Sequence, residues 1–298
     1  MSRFVFFAAP GNLEPASLSI HPMAHERMKI SATVITFNEE KNIAAALESL
    51  SWADEIIVVD SESGDATVEI ALRYTSRVFV RGWPGYSAQK NFAADQARND
   101  WVFSLDADER VSDELARELA RLGPEGGSRY AGFDMARLTY YLGRWIKHSG
   151  WYPDYKLRLY NRKRGRWRGD YVHESLDVDG DVGRLGGNLL HYTVRDASEH
   201  HLRIDRYTSL AAEQSHAQGK RASPATLFFA PLATFIRSFI VKRGFMDGVQ
   251  GMAIAFFAAH YAFLKALKLW EKNMGIGGGS PAAGLEETRR PVKTKSGT

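Results

Sequence analysis

The sequence predicts an α/β fold built on a mainly parallel sheet, and three observations predict it. Short apolar runs alternate with segments of helical spacing from about residue 30 to residue 122. Polar clusters holding Asn38, Asp60 and Asp106 close three of those runs. The chain also has 298 residues with 44% apolar content, enough to bury one large domain and carry an appendage. Strands joined through helices of about a dozen residues imply right-handed crossovers, and such sheets bind ligands in the crevice at the strand carboxyl ends.

The elements follow in order. Ser31 to Thr36 reads as a first strand, after which Asn38, Glu39 and Glu40 offer a capping side chain and first-turn acids for a helix reaching Leu50. Glu55 to Asp60 is a second strand, and Gly64-Asp65 turns the chain into a helix from Thr67 to Tyr74. Arg77 to Val80 makes a third strand and Tyr86 to Ala97 a third helix. Trp101 to Leu105 is a fourth strand, and its end carries Asp106-Ala107-Asp108-Glu109. Two carboxylates one residue apart can hold a hard divalent cation, Mg²⁺ or Mn²⁺, that keeps open positions for phosphate oxygens.

These segments resemble the inverting family 2 glycosyltransferases, through Thr33-Val-Ile-Thr-Phe-Asn-Glu-Glu40, Val58-Val-Asp-Ser-Glu-Ser-Gly-Asp-Ala-Thr67, Gln89-Lys-Asn91 and Ser104-Leu-Asp-Ala-Asp-Glu109. The resemblance implies a nucleotide-diphospho-sugar transferase (GT-A type) fold, a Rossmann-like mixed sheet, here followed by C-terminal amphipathic helices. It implies that Thr36, Asn38 and Glu39 contact the nucleoside, that Asp60 partners the base, and that Lys90 stands where an arginine is commoner. A lysine still neutralises diphosphate as a point charge. It further implies that Asp106 contacts the ribose and that Asp108 binds the metal.

Trp151-Tyr-Pro-Asp-Tyr-Lys-Leu-Arg-Leu-Tyr160, Gly169-Asp-Tyr-Val-His-Glu-Ser-Leu176, Lys242-Arg-Gly-Phe-Met-Asp-Gly248, Gly251 and Lys265-Ala-Leu-Lys-Leu-Trp-Glu271 are similar to the lipopolysaccharide-core branch of that family, so the resemblance covers about residues 29 to 272. By that analogy a hexose, glucose first among them, passes from a UDP-sugar to a lipopolysaccharide core or related lipid-linked glycan. An inverting displacement needs a base for the acceptor hydroxyl and an electrophile for the leaving diphosphate. Glu174 is the candidate base, with Asp177 and Asp179 as nearby alternatives, and the divalent cation is the Lewis acid. Three other readings stay open: a polyprenyl-phosphate sugar synthase, a metal-dependent nucleotidyltransferase and a non-catalytic glycan-binding protein.

His191, after Asn188-Leu-Leu190, reads either as a further metal or phosphate contact or as a buried structural histidine. Arg158, Arg162, Lys163, Arg164, Arg166 and Arg168, interleaved with Tyr155, Tyr160 and Trp167, have a composition suited to phosphate and sugar surfaces. No nucleic-acid motif accompanies them, so nucleic acid is not expected as a partner. A net charge of +4 and a pI near 9.1 favour anionic partners, membrane surfaces included. The absence of cysteine excludes disulfides and thiolate metal sites and fits a reducing compartment.

Residues 1–27, with Pro10, Gly11, Pro15 and Pro22, read as an N-terminal extension, Met28 being an alternative start. Residues 28–222 form the expected catalytic domain, 223–272 a helical membrane-associating or packing region, and 273–298 a disordered tail with the glycine-rich stretch Gly275 to Gly279. Phe228, Leu232, Phe235, Ile236, Phe239 and Ile240 recur at helical spacing, and a second apolar stripe follows. Leu227 to Val241 and Met252 to Leu264 hold 15 and 13 residues, short of the roughly 20 that span a bilayer. With Arg237, Lys242, Arg243, Lys265 and Lys268 nearby, these segments are expected to lie on an anionic membrane surface, which would be the cytoplasmic face of a bacterial inner membrane.

Overall fold

The computed structural model describes residues 27–169, 174–194 and 196–276. The expected N-terminal extension, apart from Arg27, and the tail beyond Ile276 lie outside the described residues.

The first strand, β1 (Ile30–Thr36), is buried at every position, which is why its sequence is a near-continuous run without alternation. It is followed by α1 (Ile43–Glu48), β2 (Glu55–Asp60), α2 (Thr67–Ala71), β3 (Val78–Val80), α3 (Tyr86–Asp95) and β4 (Trp101–Asp106). Strands β1 to β4 are parallel, in the order β3-β2-β1-β4. All three helices end two or three residues earlier than expected, and Asn38 does not cap α1. Asn38 sits at φ +53°, its amide donates to the Ser63 hydroxyl at 2.8 Å and its side-chain oxygen accepts from the Gly64 amide at 2.8 Å. A side chain committed to the next strand's turn cannot cap its own helix.

Beyond β4 the sheet becomes mixed. The chain continues through β5 (Glu109–Val111), α4 (Asp113–Ala120), α5 (Pro124–Arg129), β6 (Gly132–Tyr141), β7 (Arg144–Ile146), β8 (Asp154–Asn161), β9 (Gly165–Arg168), β10 (Ser175–Val178) and β11 (Val182–Val194). The full sheet order is β3-β2-β1-β4-β8-β6-β11-β5, with β7 paired to β6, while β9 and β10 form a separate hairpin. β8 runs antiparallel to β4 and β6, and β11 runs parallel to β6 but antiparallel to β5. One face of the sheet packs Leu47, Phe103, Leu115 and Leu119, and the other packs Ala93, Ala94, Tyr160 and Trp167. Helix α4 starts on Ser112, whose hydroxyl accepts from the Leu115 amide, and seats Leu115 and Leu119 on β11. It comes so close that a Cβ on Gly187 would lie 2.4 Å from the Leu115 nitrogen.

Three helices complete the described chain: α6 (Ala197–Ala217), α7 (Pro224–Ile236), which runs on into a π-helical turn at Arg237–Val241, and α8 (Val249–Asn273) after a 3₁₀ turn at Gly244–Asp247. The apolar helices are longer than the sequence count. Pro224–Val241 spans 18 residues and Val249–Asn273 spans 25, long and apolar enough to cross a membrane by length and composition. Counting only the apolar core truncated them: α7 also takes in Pro224, Ala225 and Thr226, and α8 runs on through Lys265 and Lys268, because a helix carries such residues without breaking. Much of their apolar surface is uncovered: Phe228, Phe229 and Phe256 are 60–68% exposed.

The segment from Lys242 to Gly251 is a joint. Asp247, 1% exposed, accepts from the amides of Lys147 and His148 at 3.2 and 3.0 Å and from the His148 imidazole at 3.0 Å. A Cβ on Gly251 would fall 1.8 Å from the Gly244 carbonyl oxygen, so only glycine allows this close approach. Helix α6 docks through His200, whose Nδ1 is 2.7 Å from the buried Tyr141 hydroxyl and whose ring lies tilted against Phe257, centroids 4.1 Å apart. Burial, then Arg203, pulls the His200 pKa down from 6.5 to about 4, and burial pushes Tyr141 up to about 12. In that window the unfolded chain binds a proton that the folded chain refuses, so stability falls on acidification. Urea unfolding from pH 7 to pH 4 is expected to show this loss, and His200→Gln to flatten that part of the profile. An unchanged profile in the variant would remove His200 from the account.

Candidate active site

The carboxyl end of β4 meets β8 and β11 at a set of alternating charges. Arg158, in the middle of β8, is 4% exposed, and its guanidinium donates to Asp106 at 2.7 Å and to both Glu109 oxygens at 2.7 and 2.8 Å. Glu109 is fully buried, also takes the Asp106 amide at 3.2 Å, and pairs with Arg137 at 3.4 Å. Arg137 in turn reaches Asp154 at 2.7 Å, and Asp154 reaches Lys156 at 3.0 Å. Burial would push the Asp106 carboxyl up, but Arg158 and then Lys90 hold it far below the usual carboxylate range. Asp106 and Glu109 likewise raise Arg158 further above its already high value against the opposing effect of burial.

On the other side of Asp106 stands Lys90 of α3, its side chain 2% exposed. Its Nζ lies 3.1 Å from Asp106 and 3.5 Å from Glu174. The residue expected to bind diphosphate and the expected base are thus brought together, through Asp106, at one point. His173 and Val172, which frame Glu174 in sequence, lie outside the described residues. The Tyr86 hydroxyl overlooks the same group: burial, followed by Tyr207, Glu174 and Asp106, raises its pKa.

Asp108 and His191 form a neighbouring pair. The antiparallel pairing of β11 with β5 sets His191 opposite Glu109, and the Tyr192 amide donates to the Asp108 carbonyl at 2.9 Å. Asp108 Oδ2 and His191 Nε2 then stand 3.3 Å apart, close to the roughly 3 Å between adjacent ligands of an octahedral cation at about 2.1 Å. His191 Nδ1 is buried without a hydrogen-bond partner. Among the described residues no cluster of three or more His, Asp or Glu side chains is placed to hold a metal. The donor set therefore fits a cation that takes two protein ligands and completes its shell from phosphate oxygens and water.

The expected nucleoside contacts gather apart from this pair, at the ends of β1 and β2. Asp60, fully buried, accepts from the Ser63 amide at 2.8 Å and hydroxyl at 2.5 Å. The Glu39 amide donates to the Thr67 hydroxyl at 2.8 Å, and the buried Thr36 hydroxyl has no hydrogen-bond partner. The polar edges of a loop-lined crevice are thus held by the turn itself, and Thr36 is left with bonding capacity to spare.

Two features depart from expectation. The stretch from Arg158 to Arg168 is not one basic surface: Arg158 is inside, Lys163 pairs with Asp100 at 2.7 Å, Arg166 with Asp95, and Arg168 with Asp177 at 3.5 Å. Glu109 and Arg158, the buried centre of the site, were not singled out from the sequence as site residues. By strand alternation an arginine between Leu157 and Leu159 reads as facing away from them, so nothing local in the sequence marked Arg158 as buried.

Residues 31–175 match the family model described as "Glycosyl transferase family 2". The chain is 33% identical over 254 residues to the lipopolysaccharide core biosynthesis glycosyltransferase LpsC of Rhizobium meliloti (strain 1021), covering 83% of this chain and 94% of that protein. It is 34% identical over 258 residues to an uncharacterized glycosyltransferase of Rickettsia typhi (strain ATCC VR-144 / Wilmington), covering 83% and 88%. Among solved structures, the mannosyltransferase PcManGT from Pyrobaculum calidifontis, in complex with GDP-Man and Mn²⁺, gives a TM-score of 0.44 at 18% identity, over 89% of this chain and 80% of that one.

Removing Arg158 leaves Asp106 and Glu109 facing one another without their shared cation. Arg158→Met is expected to cost about 3–5 kcal/mol of unfolding free energy, with part of it restored when Glu109→Gln is added. Urea unfolding followed by circular dichroism measures both, and a loss below about 1 kcal/mol would contradict the charge network.

Proposed function

The chain belongs to glycosyl transferase family 2, and on that premise we propose that this glycosyltransferase of GT-A fold moves a hexose, glucose first among the candidates, from a UDP-sugar to a lipopolysaccharide core or related lipid-linked glycan, with inversion. The observation that carries the reading is the single ammonium of Lys90 in contact with both Asp106 and Glu174. It sets an anion-binding cation beside a carboxylate base, which a one-step displacement at a sugar carbon requires. The name of the Rhizobium relative supports the acceptor class.

In the proposed mechanism, Thr36, Asn38, Glu39 and Asp60 hold the nucleoside at the ends of β1 and β2. Asp106, kept ionised by Arg158, contacts the ribose, and Lys90 faces the diphosphate. Glu174 takes the proton of the acceptor hydroxyl as its oxygen attacks the anomeric carbon, and the nucleoside diphosphate leaves from the opposite face. Asp108 and His191 would hold a divalent cation, Mg²⁺ or Mn²⁺, which when bound supplies Lewis-acid stabilisation of the leaving group.

The enzyme works, in this reading, as a peripheral protein on the cytoplasmic face of the inner membrane, with α7 and α8 lying in the interface. Helix α6 packs along α8 from His201 against His260 to Lys268 with Asp205 at 2.6 Å and Asn273 with His216 at 3.2 Å. A spanning α8 would draw Asp205, Arg206 and Glu213 into hydrocarbon. Cations also flank both ends of the α7–α8 pair, Arg237, Lys242 and Arg243 at one and Lys220, Arg221 and Lys272 at the other, which suits a hairpin lying flat on anionic lipid.

Nucleoside diphosphate release from a panel of nucleotide sugars, with and without truncated core lipopolysaccharide, tests the chemistry. Release from UDP-glucose is expected to rise with acceptor, to stop on chelation, to disappear in Asp108→Ala and to fall about 100-fold or more in Glu174→Gln with UDP binding retained. Undiminished turnover in Glu174→Gln, with a polyprenyl phosphate as the preferred acceptor, would replace this reading with that of a polyprenyl-phosphate sugar synthase. For the membrane, flotation with phosphatidylethanolamine–phosphatidylglycerol vesicles is expected to fail in Phe229→Ser/Phe256→Ser. Retention of that variant on vesicles would contradict the role given to the helices.

A further inference from the structure

The triplet Gln89-Lys90-Asn91 has its flanking residues tied in two directions. Gln89 is fully buried and donates to the Ser61 hydroxyl at 3.0 Å, anchoring α3 to the end of β2. The Asn91 carboxamide forms a reciprocal pair with the backbone of Trp167 on β9, donating to its carbonyl at 2.9 Å and accepting from its amide at 3.0 Å. Between them Lys90 projects its ammonium over the Trp167 ring, 4.3 Å from the ring centroid. Trp167 is 6% exposed, so the contact is desolvated on both sides.

A buried ammonium has three N–H donors and no acceptor. Asp106 and Glu174 lie on two sides of this one. An aromatic face attracts the ammonium without neutralising it and without consuming a donor in a strong hydrogen bond, so it fills a third side while leaving an N–H for an incoming oxyanion. A further carboxylate there would outweigh the charge, and an aliphatic side chain would give that side of the ammonium no attraction.

We propose that Trp167, fixed by Asn91, is a positioning residue that presents the Lys90 ammonium to the donor diphosphate. This rests on the reading of Lys90 as a diphosphate ligand, and it assigns to the β9–β10 hairpin, outside the main sheet, a part in donor binding. β10 begins directly after Glu174 and sets Leu176 opposite Trp167, so Asn91, by holding the Trp167 backbone, supports both the ring under Lys90 and the strand that follows the proposed base.

A double-mutant cycle tests it. UDP affinity in the presence of Mn²⁺, and the donor KM and kcat, are measured for the full-length wild type, Lys90→Met, Trp167→Leu and the pair, with Trp167→Phe as the conservative variant. Trp167→Leu is expected to weaken UDP and raise the donor KM about tenfold, with a smaller change in kcat. Trp167→Phe restores part of the affinity, and Trp167→Leu adds nothing in the Lys90→Met background. Equal losses from Trp167→Leu in both backgrounds would overturn the proposal, because the tryptophan would then act on folding alone. If Lys90→Met itself leaves UDP affinity untouched, it is the donor-site reading that fails. Should Trp167→Leu not fold, the cycle is run with Asn91→Ser, which frees the tryptophan backbone while keeping its ring, and the same additivity decides.

Discussion

The guanidinium of Arg158 is the constraint around which the site is arranged. It enters from an antiparallel strand that neighbours the parallel half of the sheet, and it ties the end of β4 to β5 through Asp106 and Glu109. Without it, Asp106 and Glu109 would face one another with no cation shared between them. With it, the charges alternate without a break: Lys156, Asp154, Arg137, Glu109, Arg158, Asp106, Lys90, Glu174. Glu174, the proposed base, stands at the edge of this chain, and the fold's change from parallel to mixed strands is what puts Arg158 at its centre.

A chain of paired charges has a consequence for what it can bind. When Asp108 is added, five carboxylates face the four cations of the network, so no buried positive charge is spare for a diphosphate. A nucleotide sugar entering alone would add anions to a site already short of cations. Its charge is balanced if it arrives with a divalent cation, and Asp108 with His191 provides two ligands on the diphosphate side. This charge balance supports the proposal that the donor enters together with a divalent cation.

Much of the parallel half was legible because its signals are local. β2 runs from Glu55 to Asp60 as its apolar run predicts, and Lys90, Asp106 and Glu174 come together in space while Asp60 ends β2. The pairing of α3 with β9 was not legible, since Asn91 and Trp167 are 76 residues apart and neither announces the other. Arg158 was hidden among basic neighbours that go outward to Asp95 and Asp100. Alternation along β8 breaks down just where Arg158, Leu159 and Tyr160 are buried in succession, so a count of charges could not separate the inside arginine from those outside. The length of α8 was lost for a related reason, since Lys265 and Lys268 do not end the helix that carries them.

The joint at Asp247 connects the helices to the sheet that carries the site, so in the proposed membrane-bound arrangement the attitude of α7 and α8 would fix the height of the site above the surface. Everything else in the account turns on one arrangement at the mouth of that site, a donor diphosphate held between Lys90 and a cation on Asp108 and His191. Anomalous diffraction at the manganese edge, from crystals grown with Mn²⁺ and UDP, observes it directly. The account predicts a single manganese peak between Asp108 and His191, with a diphosphate oxygen on the metal and Lys90 on the diphosphate. A peak elsewhere, or UDP bound with no manganese and Lys90 still held by Asp106 and Glu174 alone, would contradict it.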